Sequence, residues 1–229
     1  GVTTQCELYG QTECFPLTFN PANGPRNRAS DVRLAGDLEV RLVDDQGDEV
    51  PPGQVGEIIV RPRVRHAMFA GYWRNPQATV DAFRDLWYHT GDFGRADADG
   101  FIRFVDRKKD TIRRRGENVS SVELEQAILR HPAVAEVAVH AVPSEVSEDE
   151  IKACIVPEDG RELDLGDLFE HFKRELPYFA VPRYVELRDA LPRNAVGRVM
   201  KHELRADGIN ERTVDLHALG FQLRREERR

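Results

Sequence analysis

Several features are scarce in this sequence, and each scarcity argues against a class of protein. Cysteine occurs only at Cys6, Cys14 and Cys154, without metal-ligand spacing and in an odd number, which argues against a zinc site or a disulfide framework. No apolar run approaches the length of a membrane span. Positive charge is not in excess, because the formal net charge is −7, so the charge balance gives no reason to expect nucleic-acid binding. We expect a reduced, cytoplasmic setting.

The residues that are present predict a folded protein whose first part is built from strands. The chain has 229 residues and 40% hydrophobic content, enough for one large domain or two small ones. Apolar and polar residues alternate between residues 37 and 62, where Leu38, Val40 and Leu42 would share one face of a strand. We interpret this region as a small sheet or barrel that acts as a scaffold. Residues 20–30 are rich in Pro, Gly and Asn and predict a loop.

The stretch from residue 87 to 121 is the most informative part of the sequence. Aromatic and β-branched residues on both sides of an Asp-Gly turn at residues 98–100 predict a β-hairpin, with an earlier break at residues 90–92. This arrangement places Asp92 and Arg107 at the ends of adjoining strands, where both can reach one small polar group. The alternatives are that Asp92 caps its own backbone in a turn and that Arg107 is a solvated charge.

The second half of the chain predicts a compact unit of helices and strands. Ser120 with Glu123 fits a capping box at the start of a helix. Two alternating strands, a helix with apolar residues at helical spacing over residues 165–176, and a last strand over residues 183–187 follow. Elements of this length form an α+β domain of about one hundred residues. From residue 207 the chain turns polar, which predicts a frayed or helical tail.

Four motifs occur in order along the chain, and together they carry a resemblance to a known family. They are YGQTE at residues 9–13, YHTGD at 88–92, DRKK at 106–109 with RGEN at 115–118, and LPRN at 191–194 running to Gly197 and Arg198. In this order and spacing they resemble the acyl- and aryl-CoA synthetases, an adenylate-forming family that includes luciferases and peptide-synthetase adenylation domains. Within that family, GENVSSVELE at residues 116–125 is most similar to the crotonobetaine/carnitine-CoA ligase type.

The resemblance implies a fold class, α+β, and a domain order. Residues 1–106 would be the C-terminal part of the large adenylation, or AMP-binding, domain, including a small β-barrel or sheet. Residues 107–109 would be a hinge with Lys109 at the pivotal position, and residues 110–206 would be a mobile C-terminal α+β domain. A polar tail at residues 207–229 would follow. On this interpretation the chain is the C-terminal portion of a longer enzyme.

The resemblance also assigns part of a nucleotide site to the first motif. Tyr9 would stack on adenine, Gly10 at the tip of a turn would let the backbone approach the ligand, and the Thr12 hydroxyl would hold the α-phosphate. Glu13 would lie near Mg²⁺, because a hard carboxylate suits a hard cation. The alternative for residues 9–13 is a polar strand-to-loop turn without a ligand.

Two further sites follow from the resemblance, one for ribose and one for CoA. Asp92 would accept hydrogen bonds from both vicinal ribose hydroxyls, and Arg107 would donate to the same sugar from the other side. Gly116, Glu117 and Asn118 match the loop that meets pantetheine after the domain rotates, with Gly116 allowing close approach of the backbone.

The terminal motif is expected to carry the positively charged catalytic residue that contacts the carboxylate and the phosphate. At this position the sequence departs from the family. The family places a Lys directly after the Gly of a mobile loop, but Arg198 follows Gly197 in this chain. Arg keeps the positive charge and presents a larger planar fork, so the exchange changes the geometry. Lys201 lies three residues further on, and we rank Arg198 and Lys201 equally for this role. Lys108, within the expected hinge, is interpreted as a solvated charge.

These assignments imply a two-step ligase that uses ATP, Mg²⁺ and CoA. ATP and a small carboxylic acid would give an acyl-adenylate and pyrophosphate, and CoA would then displace AMP to leave a thioester. Mg²⁺ and a basic residue would neutralise charge in the transition state, and the smaller domain would move between the steps. The alternatives are an adenylation module that loads a carrier protein and a non-catalytic fragment.

The family's phosphate loop, which is rich in Ser, Thr and Gly and ends in Lys, is absent from this sequence. We therefore expect that the isolated chain is inactive and needs the N-terminal part of the same enzyme.

Overall fold

The computed structural model describes residues 8–20, 33–34, 36–144 and 148–223. The chain divides into two compact units, Gly1–Lys109 and Asp110–Arg229. Apart from its first residue, the predicted loop at residues 20–30 lies outside the described residues. Among the helices of the described ranges, none combines the length and the apolar character needed to cross a membrane.

The strands that the structure describes in the first unit are antiparallel and form two sheets. A three-stranded sheet contains β1 (Leu8–Gln11), β2 (Cys14–Phe19) and β3 (Arg33–Leu34). A five-stranded sheet contains β4 (Leu38–Val43), β5 (Val55–Pro62), β6 (Phe83–Arg84), β7 (Trp87–Ala96) and β8 (Ile102–Arg107). A short helix, α1 (Pro76–Ala82), precedes β6. Strand β7 is central, because β5, β6 and β8 all pair with it.

Alternating apolar residues explain the core of this five-stranded sheet. Leu38 and Leu42 of β4 are buried, and so are Ile58 and Val60 of the paired strand β5. They belong to one hydrophobic cluster that also includes residues of β2 and β7. The predicted sheet in this region is confirmed, and so is the predicted hairpin, since β7 and β8 pair in antiparallel register around the Asp-Gly turn.

The predicted break at residues 90–92 is wrong, because β7 continues through these residues as a β-bulge. Thr90, Gly91 and Asp92 lie opposite a single residue of β5, Ile58. Gly91 adopts a φ of 69°, which favours glycine, and Thr90 Oγ1 donates to the Ile58 carbonyl at 2.7 Å. The Thr90 hydroxyl thus satisfies a backbone acceptor where the regular ladder is interrupted, and the strand remains paired beyond the bulge.

The described residues of the second unit form one four-stranded sheet, a small hairpin and three α-helices. In chain order the elements are β9 (Ile112–Arg114), β10 (Glu117–Val119), α2 (Ser121–Ile128), β11 (Val134–Val142), β12 (Glu150–Pro157), α3 (Leu165–Glu175), a 3-10 turn (Tyr178–Ala180), β13 (Tyr184–Leu187), α4 (Lys201–Asp207) and β14 (Thr213–Asp215). Strands β9 and β10 form the hairpin. The sheet has the order β11-β12-β13-β14, in which only the β12–β13 pair is parallel among the described strands.

Helices cover both faces of this sheet. Helix α2 begins as predicted, with Ser120 Oγ accepting a hydrogen bond from the Glu123 amide at 3.2 Å. The buried residues of α2 and α3 pack on one face of the sheet in a single core. The opposite face carries α4, whose fully buried Leu204 belongs to a cluster with Ala138 of β11. The predicted α+β fold is confirmed.

The predicted polar tail from residue 207 differs from the structure, because much of it belongs to the fold. Strand β14 pairs with β13, with Tyr184 opposite Asp215. Leu216 is fully buried, and Phe221 packs against the same core. The sequence signal was weak, since this strand is three residues long and lies among charged residues. Residues 224–229 lie outside the described ranges.

The packing of the second unit predicts a large effect of one core substitution. Phe172 of α3 has no solvent exposure, so Phe172→Ala removes buried surface and leaves a cavity. We expect the free energy of unfolding of this unit to fall by about 3–5 kcal/mol. Both tryptophans, Trp73 and Trp87, lie in the first unit, so the second is followed by circular dichroism in a urea titration.

The control for this substitution is Val196→Ala, at a residue that is 77% exposed. It should change the free energy of unfolding by less than about 0.5 kcal/mol. A Phe172→Ala titration that overlays the wild-type curve would contradict the assignment of α3 to the core.

Candidate functional site

The carboxylate of Asp92 joins two segments that are far apart in the sequence. Asp92 lies on β7 and is only 7% exposed. Its Oδ2 accepts hydrogen bonds from the Tyr9 hydroxyl at 2.7 Å and from Gln11 Nε2 at 2.8 Å, both on β1. Burial and the nearby Asp92 carboxylate raise the pKa of the Tyr9 phenol, so the phenol stays protonated and remains a donor. The Asp92 carboxylate therefore connects β7 with β1 and does not cap its own turn.

Gln11 is held at both ends of its side-chain amide. Besides Asp92, its Nε2 donates to the Thr90 carbonyl at 3.0 Å, and its Oε1 accepts from the Tyr88 hydroxyl at 2.8 Å. With both amide atoms bound, Gln11 can orient the Asp92 carboxylate. Gln11, Tyr88 and Thr90 were not predicted as site residues, although all three lie inside the sequence motifs. The available signal was the clustering of hydrogen-bonding side chains around one candidate carboxylate.

Arg107 lies directly opposite Asp92. The antiparallel pairing of β7 with β8 matches these two residues in register, at the last position of β8. Directly opposed residues in such a pair point to the same face, with Cβ atoms about 4.5–5.5 Å apart. Asp92 is buried and Arg107 is exposed. The pair that was predicted to meet one polar group is thus adjacent, while its role toward ribose stays a prediction.

The turn between β1 and β2 holds the other predicted nucleotide residues. Thr12 and Glu13 form this turn, and Thr12 is exposed. Glu13 Oε1 accepts a hydrogen bond from the Tyr72 hydroxyl at 2.9 Å. Gly10 was expected at the tip of the turn, but it lies within β1. A Cβ at this position would come 2.8 Å from the Phe15 ring. The structure therefore gives Gly10 a packing role inside the hairpin.

Glu13 is the predicted ligand of Mg²⁺. In the described ranges, no group of three or more His, Cys, Asp or Glu residues is arranged to hold a metal ion. Mg²⁺ often binds proteins through one or two carboxylates and completes its shell with water and substrate phosphates. The half-buried Glu13 carboxylate suits that mode of binding, in which most of the ligands come from the substrate.

In the second unit, the predicted CoA-contacting residues form the tip of the β9–β10 hairpin. Arg115 and Gly116 make its two-residue turn, and both have positive φ, 53° and 82°. The Gly116 amide donates to Glu148 Oε2 at 2.7 Å. Glu117 and Asn118 are exposed. The predicted residues therefore share one accessible hairpin tip.

The loop that carries Arg198 is organised by Asn194. Asn194 Oδ1 accepts hydrogen bonds from the amides of Val196 at 3.1 Å and Arg198 at 2.9 Å. The Gly197 amide donates to the Asn194 carbonyl at 2.9 Å, and Arg193 Nη1 donates to the Gly197 carbonyl at 2.6 Å. Gly197 has a φ of 82°, which favours glycine. These contacts define the backbone of the loop, and the Arg198 side chain is exposed.

Lys201, the other candidate basic residue, is bound within the second unit. It is the first residue of α4, and its Nζ contacts Glu125 Oε1 and Ser121 Oγ of α2, each at 2.7 Å. The side chains of Lys201 and Glu125 are 14% and 18% exposed, so the ion pair is largely shielded. The structure thus distinguishes an accessible Arg198 from a Lys201 that attaches α4 to α2.

Lys108 and Lys109 lie where the two units divide, after Lys109. The interpretation of Lys108 as a solvated charge is wrong, because its Nζ donates to Asp45 Oδ1 and to Glu57 Oε2, each at 3.0 Å. Glu57 is 3% exposed. These partners stand 63 and 51 residues away in the chain, so no local pattern could have identified them. The hinge role of Lys109 stays a prediction.

Comparison with known protein families gives two matches on separate parts of the chain. The AMP-binding enzyme family matches residues 2–73, and the AMP-binding enzyme C-terminal domain matches residues 123–198. The first match contains the Tyr9 motif, and the second ends at Arg198.

Individual relatives agree with these matches. The chain is 42% identical over 211 residues to a long-chain-fatty-acid–CoA ligase from Yersinia pestis, covering 91% of this chain and 37% of the relative. It is 38% identical over 198 residues to a crotonobetaine/carnitine–CoA ligase from Proteus mirabilis, covering 86% of this chain and 38% of the relative. The solved structure of ATP-bound MatB from Rhodopseudomonas palustris is 34% identical with a TM-score of 0.78, covering 88% of this chain and 40% of that one.

The chain therefore spans little more than a third of the length of the curated relatives described above. Identity is higher to the long-chain-fatty-acid ligase than to the crotonobetaine/carnitine ligase, the type that residues 116–125 resemble most. Two family matches, identities of 38% and 42% over most of its residues, and the shared fold show that this chain belongs to the AMP-binding, adenylate-forming enzyme family.

Proposed function

We propose that this chain supplies the ribose-contacting strands and the mobile C-terminal domain of an ATP-dependent carboxylate–CoA ligase. The observation that carries the proposal is the arrangement around Asp92, a nearly buried carboxylate that Tyr9 and Gln11 orient and that Arg107 faces across the ladder. The CoA-ligase names of the two relatives support it. The complete reaction belongs to the enzyme that contains this chain together with its N-terminal part.

The ribose contact follows from which oxygen of Asp92 is already bound. Tyr9 and Gln11 both donate to Oδ2, so Oδ1 is the oxygen that we assign to the vicinal ribose hydroxyls. The exposed Arg107 guanidinium, on the same face, donates to the sugar from the other side. A buried carboxylate whose orientation is fixed in advance loses little freedom on binding, which favours affinity.

The remaining nucleotide contacts belong to the β1–β2 hairpin. The Tyr9 hydroxyl is bound to Asp92, so its ring is the part that stacks on adenine. The exposed Thr12 hydroxyl donates to the α-phosphate. Glu13 would hold Mg²⁺, which when bound neutralises phosphate charge, and the Tyr72 hydroxyl keeps the Glu13 carboxylate in place.

In the first step, a substrate carboxylate oxygen bonds to the α-phosphorus of ATP while the bond to the β-phosphate oxygen breaks, releasing pyrophosphate. Negative charges approach one another, so a cation is required where charge develops. We assign this cation to Arg198, because its side chain is exposed, whereas Lys201 Nζ is bound to Glu125 and Ser121. In the second step, the CoA thiol loses its proton to solvent, its sulfur bonds to the acyl carbon, and AMP leaves with the electron pair of the broken C–O bond.

The second step assigns a role to the β9–β10 hairpin tip. Gly116, Glu117 and Asn118 would contact pantetheine after the C-terminal domain rotates at Lys109. Their exposure supports an interaction with a substrate that arrives after adenylation. The domain boundaries 1–106, 107–109 and 110–206 are part of this proposal.

The experiment that tests the proposal is ATP–pyrophosphate exchange by the purified enzyme that contains this chain, with a panel of fatty acids and carnitine-type acids. Exchange followed by thioester formation with CoA is the expected result. Transfer to a carrier protein and not to CoA would instead identify a loading module. The isolated 229-residue chain should show no exchange, because it has no Ser/Thr/Gly-rich phosphate loop.

Asp92→Asn tests the ribose assignment. The amide keeps the size of the side chain but removes a charged acceptor, so kcat/KM for ATP should fall roughly tenfold to a hundredfold. Steady-state exchange kinetics measure this change. Asp99→Asn, on the exposed hairpin turn, is the matched control and should leave the kinetics unchanged. Equal effects of the two substitutions would contradict the assignment.

Substitution of each residue by Met distinguishes the role of Arg198 from that of Lys201. Arg198→Met should abolish most adenylation without changing the urea midpoint, and Arg198→Lys should retain activity. Lys201→Met should lower the free energy of unfolding by about 1–3 kcal/mol, because it leaves the shielded Glu125 carboxylate without its ion pair. A destabilising Arg198→Met together with a stable but inactive Lys201→Met would reverse our assignment.

A further inference from the structure

The last residue before Lys109 is bound tightly inside the first unit. Lys108 Nζ contacts Glu57 and Asp45, each at 3.0 Å. Its backbone amide also donates to the carbonyl of Gly91, the bulge residue next to Asp92, at 2.8 Å. Both the main chain and the side chain of Lys108 are therefore attached to the sheet.

Glu57 makes this attachment strong because it is almost fully buried. It lines a cavity of about 270 Å³ whose walls include Asp45 and Lys108, and His89 Nδ1 and Arg84 also approach its Oε2, at 3.2 and 3.6 Å. Burial alone would raise the pKa of Glu57, but hydrogen bonds from Lys108 and His89 hold it below the ordinary value. A buried carboxylate requires its cation, so removal of Lys108 is costly.

The first residue after Lys109 is bound in the same way inside the second unit. Asp110 Oδ1 pairs with Arg205 Nη1 of α4 at 2.7 Å, and the Asp110 side chain is 11% exposed. Two residues later, Ile112 is fully buried in the main core. The start of the second unit is thus attached both to α4 and to the core.

We propose that these two ion-pair clamps, Lys108 with Glu57 and Asp45 and Asp110 with Arg205, confine the rotation of the C-terminal domain to the backbone around Lys109. The inference rests on the proposed ligase function, which requires such a rotation. It makes Glu57, Lys108, Asp110 and Arg205 positioning residues that do not touch the substrates.

The second clamp also has a consequence for the loop that carries Arg198. That loop leads directly into α4, which Lys201 attaches to α2 and Arg205 attaches to Asp110. Helix α4 therefore links the hinge side of the unit to the Arg198 loop. Rotation at Lys109 then carries Arg198 as part of a rigid body, which a reproducible geometry in the first step requires.

Amide hydrogen exchange of the 229-residue chain, resolved to single residues by fragmentation in the mass spectrometer, tests the clamps without ATP or CoA. Lys108→Met should accelerate exchange at residues 107 and 108 roughly tenfold or more, because a charge-assisted hydrogen bond is lost. Arg205→Met should do the same at residues 110 and 111 only. Each effect should stay on its own side of Lys109.

The controls break ion pairs away from the hinge, whose carboxylates are more exposed than those of Glu57 and Asp110. Lys173→Met removes the Lys173–Glu170 pair on α3, and Arg130→Met removes the Arg130–Glu175 pair. Both should leave exchange at residues 107–111 unchanged. Unchanged exchange in Lys108→Met and Arg205→Met, or acceleration spread evenly through a whole unit, overturns the proposal. Since no ligase substrate is present, failure of the proposed activity gives a separate and distinguishable result.

Discussion

The buried carboxylate of Asp92 is the constraint on which the first unit depends. A carboxylate removed from water must be matched by hydrogen-bond donors, and here the donors come from Tyr9 and Gln11 on β1. The β1–β2 hairpin must therefore lie next to β7. The bulge at Gly91 and the Thr90 hydroxyl keep β7 paired with β5 at the same place. One polar contact thus couples the two sheets of the unit and leaves Arg107 beside the carboxylate.

The second unit uses ion pairs differently, to attach one short helix. Helix α4 is only seven residues long and would not be stable alone. Its first residue, Lys201, binds α2, and the carbonyl of Gly208, just beyond its end, accepts from Lys152 at 2.5 Å. Lys152 is fully buried and paired with Glu186 at 2.5 Å. These contacts make α4 a rigid support for the loop that precedes it.

Local patterns in the sequence predicted the elements, but not the contacts between distant elements. The capping box at Ser120 and the apolar spacing of α3 are local, and both are confirmed. The proximity of Asp92 and Arg107 was also accessible, because both lie in one hairpin, but their exact pairing was not, since a bulge between Phe93 and Gly94 shifts the register by one residue.

Long-range contacts account for what was missed. The partners of Lys108 and the donor role of Gln11 depend on residues more than fifty positions away, which periodicity does not report. Strand β14 was missed because its stability comes from pairing with β13 and not from its own three residues. The bulge in β7 was predicted as a break in the strand, because a glycine such as Gly91 is typical both of strand ends and of bulges.

The most direct test of the account is the discrimination between ATP and its 2′-deoxy and 3′-deoxy analogues by the proposed ligase. A site built to bind a hydroxyl leaves a buried polar group unpaired when that hydroxyl is missing, so kcat/KM should fall by at least about a hundredfold for each analogue. Equal use of ATP and both analogues would contradict the central claim that Asp92, oriented by Tyr9 and Gln11, binds the ribose.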